Sequence, residues 1–381
     1  MINENKFFND NFFIIASDNL KSVEPRLYGY AFLNDKILIN SHNCNYQIPN
    51  NVYGCYVNVT KSDSEIKLFQ DYFGSYGIYV YQEDNYFAIS NSFIYLVNYL
   101  KKVKILSFNY QFAKNLISPP TATLAYQNTM VDKIKMLPRN YVVKINIANR
   151  SLKYEEIEQR EEYINVDTKE AIQLLDEWHF KWNSVFESLA GKNFPITLKL
   201  SGGKDSRIVL SSFYSPKIKS INKISFFSAI DKLHIEDFNI ASTISKILNF
   251  TLSPREFQDR YKMDPMMNLK SSLYTKGGFH REIMPTHFWK KKPSFTVTGS
   301  VGGLRDFWNE KIETFIESNI SNVLFHSIDC KTALKNELLE SAKKVKEKYN
   351  GKNLNARMVF YNEIRCRNQY GKANKSEAKR S

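Results

Sequence analysis

Strand-length apolar runs and stretches of helical period alternate along residues 194–300. No other feature of the sequence constrains the fold as tightly. "FPITLKL" reads as a strand, "DSRIVLSSFY" as a helix, "INKISFFSAI" as a strand, "IEDFNIASTISKILNF" as a helix and "SFTVTGS" as a strand. Parallel neighbours need long crossovers, and helices of this length supply them, so the pattern predicts a parallel sheet with helices packed on it. In such sheets ligands sit at the carboxyl ends of the strands. The strand "ITLKL" runs straight into Ser201-Gly202-Gly203-Lys204-Asp205-Ser206-Arg207, at that end.

This heptapeptide has the composition of an anion site. Gly202 and Gly203 let backbone approach a ligand with no Cβ in the way. The amides of the loop and of the following helix N-terminus supply donors. Ser201 and Ser206 add hydroxyls, and Lys204 and Arg207 add positive charge. Asp205 among anion donors calls for a bridging cation, which implies magnesium. A plain glycine turn with a Ser or Asp cap accounts for the two glycines alone, but less well for all seven residues together. The spacing is not that of a Walker loop.

The preceding residues have a different period. From the N-terminus to about residue 165, short alternating runs rich in β-branched and aromatic residues recur between Asn, Asp, Gly and Ser turns: "NFFIIAS", "RLYGYAFL", "DKILINS", "VYGCYVNVT", "EIKLFQDYF", "YGIYVYQ", "NYFAISNS", "NYVVKINI" and "RSLKYEEI". Helical stretches interrupt them at "SFIYLVNYLKK" and "NYQFAKNLIS", the second ended by Pro119-Pro120. A long helix is then expected, capped at Asp167-Thr168 and stopped at Gly191. Its apolar face is Ala171, Leu174, Leu175, Trp178, Trp182, Val185 and Phe186. Two domains, 1–165 and 166–381, suit a chain of 381 residues, because single cores rarely grow past ~250–300 residues.

Composition removes several classes of function. No apolar run approaches the ~18 residues of a membrane span, and the start "MINENKFFNDNFFII" lacks the basic lead of a signal peptide. Cys44, Cys55, Cys330 and Cys366 lie far apart, which argues against zinc, iron–sulfur and disulfide frameworks and for a reducing cytoplasm. The net charge of +14 invites nucleic acid. Much of it falls after Lys331, where 14 Lys and Arg face 5 Glu, as on a solvated helix face. Nucleic acid is therefore not the expected partner, and neither is a membrane.

The loop resembles the pyrophosphate loop of the N-type ATP pyrophosphatases, and the remainder of the chain is similar to the asparagine synthetase-like branch. "DYFGSYGIYVYQEDNYFAISNSFIYL" and "TMVDKIKMLPRNYVVKINIANRSLK" resemble, in order, segments of the family's glutaminase domain. "FYNEIRCRNQYGKA" resembles a later Arg-x-Arg stretch. The resemblance implies an α+β N-terminal Ntn-like β-sandwich domain followed by an α/β parallel-sheet domain of the adenine-nucleotide α-hydrolase type. It also implies ATP and Mg2+ as cofactors. The activity implied is adenylation of a small or peptide carboxylate, with AMP displaced by ammonia or a substrate amine, and a homodimer is a candidate assembly.

Two departures qualify that picture. Residue 2 is Ile2, where glutamine-dependent members expose a cysteine, so no glutaminase activity is expected and the first domain reads as a scaffold, as in β-lactam synthetase. In "TGSVGGLRDFWNE", Gly299, Gly302 and Gly303 are in place, but Leu304-Arg305 stands where the family has an acidic pair, with Asp306 nearby. The family also continues beyond the position of Ser381 with a region that includes an adenylate-contacting lysine, so the resemblance implies either that this lysine comes from elsewhere or that the catalytic domain is C-terminally incomplete. "YTKGGFHREIMPTHFW" places His280 and Glu282 as candidate acceptor-side bases, or simply in an exposed loop. Glu236 and Asp237 read as helix-dipole partners and packing. A non-catalytic nucleotide- or partner-binding relative and a tRNA-modifying adenylating enzyme are the alternatives.

Overall fold

The computed structural model describes residues 11–33, 36–49, 52–110, 112, 127–157, 164, 167–191, 194–213, 224–255, 295–299, 313–314, 316–317, 328–348 and 363. Antiparallel sheets come first and a parallel, helix-packed sheet second.

In the first region, β1 (Ile15–Ala16), β6 (Tyr79–Glu83), β7 (Tyr86–Ser90) and β8 (Ile134–Met136) form a four-stranded antiparallel sheet ordered β1-β7-β6-β8. Six strands form the second sheet: β2 (Arg26–Leu33), β3 (Lys36–Ile39), β4 (Tyr53–Lys61), β5 (Glu65–Gln70), β9 (Tyr141–Asn146) and β10 (Leu152–Glu156), ordered β10-β9-β5-β4-β2-β3. The period-2 pattern assigns each side chain to a face. Cys55, Val57 and Val59 of β4 enter one core together with Val80, Phe87 and Ile89 from the other sheet, whereas Tyr56 between them faces a separate cluster with Leu27 and Ala31. On the four-stranded sheet, Tyr79 and Tyr81 face away from the shared core and meet α1 (Phe93–Leu100) through Phe93, Leu96, Val97 and Leu100. Ser92 caps α1 by accepting the Tyr95 N–H.

The long helix α2 (Lys169–Gly191) starts and stops where the sequence places it, with Thr168 Oγ1 accepting the Ala171 N–H at 3.2 Å. Its apolar face is shorter than expected. Val185, Phe186, Leu189 and Ala190 are buried against the following strand and helix, whereas Leu174 and Leu175 are exposed. Among the described residues only the second half joins that core, while Ala171 in the first half is buried apart from it.

The parallel sheet comprises β11 (Ile196–Lys199), β12 (Ile224–Ala229), β13 (Leu252–Arg255) and β14 (Phe295–Thr298) in the order β13-β12-β11-β14. Crossover helices α3 (Lys204–Phe213) and α4 (Ile235–Leu248) follow β11 and β12, and a further helix, α5 (Ile328–Lys348), lies downstream. Successive strands step outward from β11 to β13, and β14 then pairs on the opposite side of β11. In open parallel sheets such a reversal of strand order, here between β11 and β14, is the place where ligands bind.

Several contacts join the two regions. Tyr53 stacks on Trp182 of α2 with ring centroids 5.2 Å apart, and Phe295 of β14 meets Tyr30 and Phe32 of β2. Arg139 and Glu363 form a 2.6 Å ion pair whose side chains are both wholly buried.

Candidate functional site

β11 delivers the loop to the sheet edge. Leu198 and Leu200 are fully buried, and Leu200 N–H donates to Phe227 O at 2.9 Å, so strand pairing with β12 persists to the residue before Ser201. The chain then turns within three residues into α3. Ser206 closes that turn from inside. Its hydroxyl accepts the Ser201 N–H at 3.1 Å and lies 2.9 Å from Ser201 O and 3.1 Å from Gly203 O. Read from sequence as a donor to an anion, the Ser206 hydroxyl is instead engaged within the loop, and the residue is buried. Ser201 Oγ accepts the Gly203 N–H at 3.3 Å.

The two glycines of the loop are small for different reasons. A Cβ on Gly202 would lie 2.8 Å from both Asp237 Oδ1 and Ile240 Cδ1, because the first turn of α4 covers that side of the loop. Gly203 is exposed, and a Cβ there would meet only Ser201 Oγ, at 3.4 Å. The fold demands glycine at 202 and leaves room at 203. Gly299, just past the end of β14, closes the other side. A Cβ there would sit 2.4 Å from Ser206 N and 2.7 Å from Asp205 O. Strand β14 therefore ends against the N-terminal turn of α3, and the loop lies between α4 and Gly299 at the switch point.

The first-turn amides of α3, those of Lys204, Asp205 and Ser206, have no intrahelical acceptor, as at any helix start. A helix start of this kind can receive an anion through its free amides and the positive end of its dipole, although Gly299 packs against the Ser206 amide. Lys204 and Arg207 are exposed beside it and Asp205 is half-buried. A single carboxylate next to a phosphate cradle fits the chemistry of Mg2+, which takes one or two protein carboxylates and completes its shell with phosphate oxygens and water. Among the described residues no group of three His, Cys, Asp or Glu side chains is arranged to hold a metal by itself.

Two features of the site were not apparent as such in the sequence. Asp237, read there as packing, accepts the Gly202 N–H at 3.0 Å, across 35 residues. Its spacing of four before Ala241 marks it as inward-facing on α4, and Ala241 is fully buried. Nothing local shows that it reaches the loop. At the carboxyl end of β12, Asp231 and His234 form a 2.6 Å pair through His234 Nδ1, and this contact holds the Asp231 carboxyl below the usual range. Gly302, His280, Glu282 and Asp306, with the Leu304-Arg305 position, lie outside the described residues, so the structure brings together Ser201–Arg207 and Gly299 alone of the sequence-derived set.

No protein-family model matches the chain, and no curated protein matches it at a significant level, so the functional reading rests on the motif and on this geometry.

Proposed function

We propose that this chain is an ATP-dependent, AMP-forming ligase of the asparagine synthetase type, without glutaminase activity. A carboxylate oxygen of a small or peptide substrate attacks the α-phosphorus of ATP, and the bond to pyrophosphate breaks. Ammonia or a substrate amine then attacks the acyl carbon, and AMP leaves. In this reading the α3 amides hold the departing phosphates, Lys204 and Arg207 neutralise charge that builds on them, and Asp205 would hold Mg2+, which would supply further charge neutralisation there. The parallel sheet serves as the adenine-nucleotide α-hydrolase-like domain, and the antiparallel sheets serve as an Ntn-like scaffold.

The observation that carries the proposal is the Ser201–Arg207 loop between β11 and α3, closed by Gly299 at the switch point. The shape alone suits many anions. The addition of Asp205 to a cradle otherwise built from amides and positive groups favours a metal-bound polyphosphate.

Calorimetric titration with Mg–ATP tests it, followed by a screen of carboxylates for AMP release. The intact chain should bind. Asp205→Ala should bind about tenfold or more weakly, the value of one charge-assisted contact. Gly203→Ala should lose binding with an unchanged melting temperature, because that position is open in the protein itself. No heat from the intact chain would sink the nucleotide reading. Binding with no AMP from any carboxylate would move the chain to the non-catalytic alternative.

A further inference from the structure

Asp237 is not one of the residues the motif supplies, yet it touches the loop's turn directly. Its carboxylate sits in the first turn of α4. It accepts the Gly202 N–H at 3.0 Å, and it lies 2.8 Å from where a Cβ on Gly202 would stand. The bond links the loop after β11 to the helix after β12, the neighbouring parallel strand. It also removes one amide, that of Gly202, from the donors an anion could use.

A carboxylate this close to a phosphate cradle can act in two opposed ways. As a charge, it repels the ligand and its removal tightens binding. As an acceptor, it fixes the turn and its removal loosens the cradle. Three observations favour the second. The Gly202 amide is turned towards α4, whereas Gly299 flanks α3 on the other side. Ile240, beside Asp237, packs against the same glycine, so the contact is a fitted one. The other ties within the turn are hydroxyl contacts centred on Ser206 and Ser201, and Asp237 supplies the charged acceptor among them.

We infer that Asp237 is a positioning residue: it holds the 201–206 turn in its anion-accepting shape through Gly202 and does not itself contact the ligand. The ligand half of this inference rests on the nucleotide reading above; the ordering of the turn does not.

The experiment therefore reads both in the full-length protein. Amide hydrogen exchange across residues 200–208 is measured without ligand, and then with magnesium pyrophosphate, for the intact chain, Asp237→Ala and Asp237→Asn. Asp237→Ala should speed exchange of the ligand-free turn by about tenfold and weaken pyrophosphate to a similar degree, as expected for a lost charge-assisted bond. Asp237→Asn keeps an acceptor oxygen and should restore slow exchange, with affinity equal to or above that of the intact chain. Unchanged exchange in Asp237→Ala overturns the inference. So does tighter pyrophosphate binding in both variants, which would make Asp237 a repelling charge. If the intact chain shows no protection by pyrophosphate, the nucleotide reading fails, while the ligand-free exchange still decides whether Asp237 orders the turn.

Discussion

Asp71 and Asp237 perform the same local task in the two regions of the molecule, and the difference between them shows how a turn is spent. Asp71, 2% exposed, accepts the amides of Phe73, Ser75 and Tyr76 at 3.1 Å and of Tyr56 at 3.3 Å. Its turn includes Gly74 at φ +60°, packed against the backbone of Arg139. Donors and acceptor satisfy one another largely inside the protein. Asp237 takes a single amide of the 201–207 loop and is half-buried, beside the exposed Gly203 and Lys204. Both are aspartates bound to glycine turns. Burial distinguishes a turn that builds the fold from one that can accept a partner.

The comparison breaks most readily at Asp71. Asp71→Ala would leave three buried amides and one part-buried amide without their acceptor, at about 1–3 kcal/mol for each buried group, so a loss of at least ~3 kcal/mol is expected in urea unfolding. Asp237→Ala should stay within about 1 kcal/mol of the intact chain. Equal losses would erase the distinction. Arg139→Ala tests the same buried side from another direction, because it removes the guanidinium paired with the wholly buried Glu363 carboxylate. A cost of about 3–5 kcal/mol is expected, and it should be relieved when Glu363 is replaced by an apolar residue in the same chain.

On the open side the effects on stability should shrink while those on binding grow. Gly299→Ala forces a methyl against Ser206 N and should cost about 1–3 kcal/mol, with loss of nucleotide binding. Gly203→Ala should lose the binding at almost no cost in stability. If instead Gly203→Ala destabilises the protein as much as Gly299→Ala, the loop belongs with the closed turns.

The smallest effect is expected at the surface of the first region. There the Lys133 ammonium, the Tyr81 hydroxyl and the Lys104 ammonium hold the Glu83 carboxyl down at about 2, against an ordinary 4.5. A lowered carboxyl pKa stabilises the fold above the ordinary value, and the contribution fades as pH falls towards the lowered one. Glu83→Gln should therefore lower the neutral plateau of urea midpoint against pH slightly, flatten the acid limb by the same amount and meet the intact chain at the acid end. Curves that stay parallel across the acid limb would contradict this.

The architecture was legible wherever period and punctuation agreed. The alternation in "VYGCYVNVT" and "NYVVKINI" gave β4 and β9, and Thr168 and Gly191 bounded α2. Strand β13 escaped because Pro254 argues against a strand, and the sheet accommodates it at an edge. The three residues of β8 are too few to carry a pattern. In the site, the motif marked the 201–207 loop and Gly299 but could not show what they touch. The contact of Gly299 with Ser206, like that of Asp237 with Gly202, is made by the order of strands, and local sequence carries no trace of that order.

That order also sets a timetable. Ile196 of β11 pairs with Ile224 on one side and with Phe295 on the other, across almost a hundred residues. Pairings so distant close late, because the chain must first spend the entropy of the intervening loop. During synthesis at roughly 5–20 residues per second, the loop leaves the ribosome roughly 5–20 s before β14 exists to flank it. Until Gly299 arrives the loop is flanked on the α4 side alone, so any ligand that needs both flanks can reward only the finished sheet.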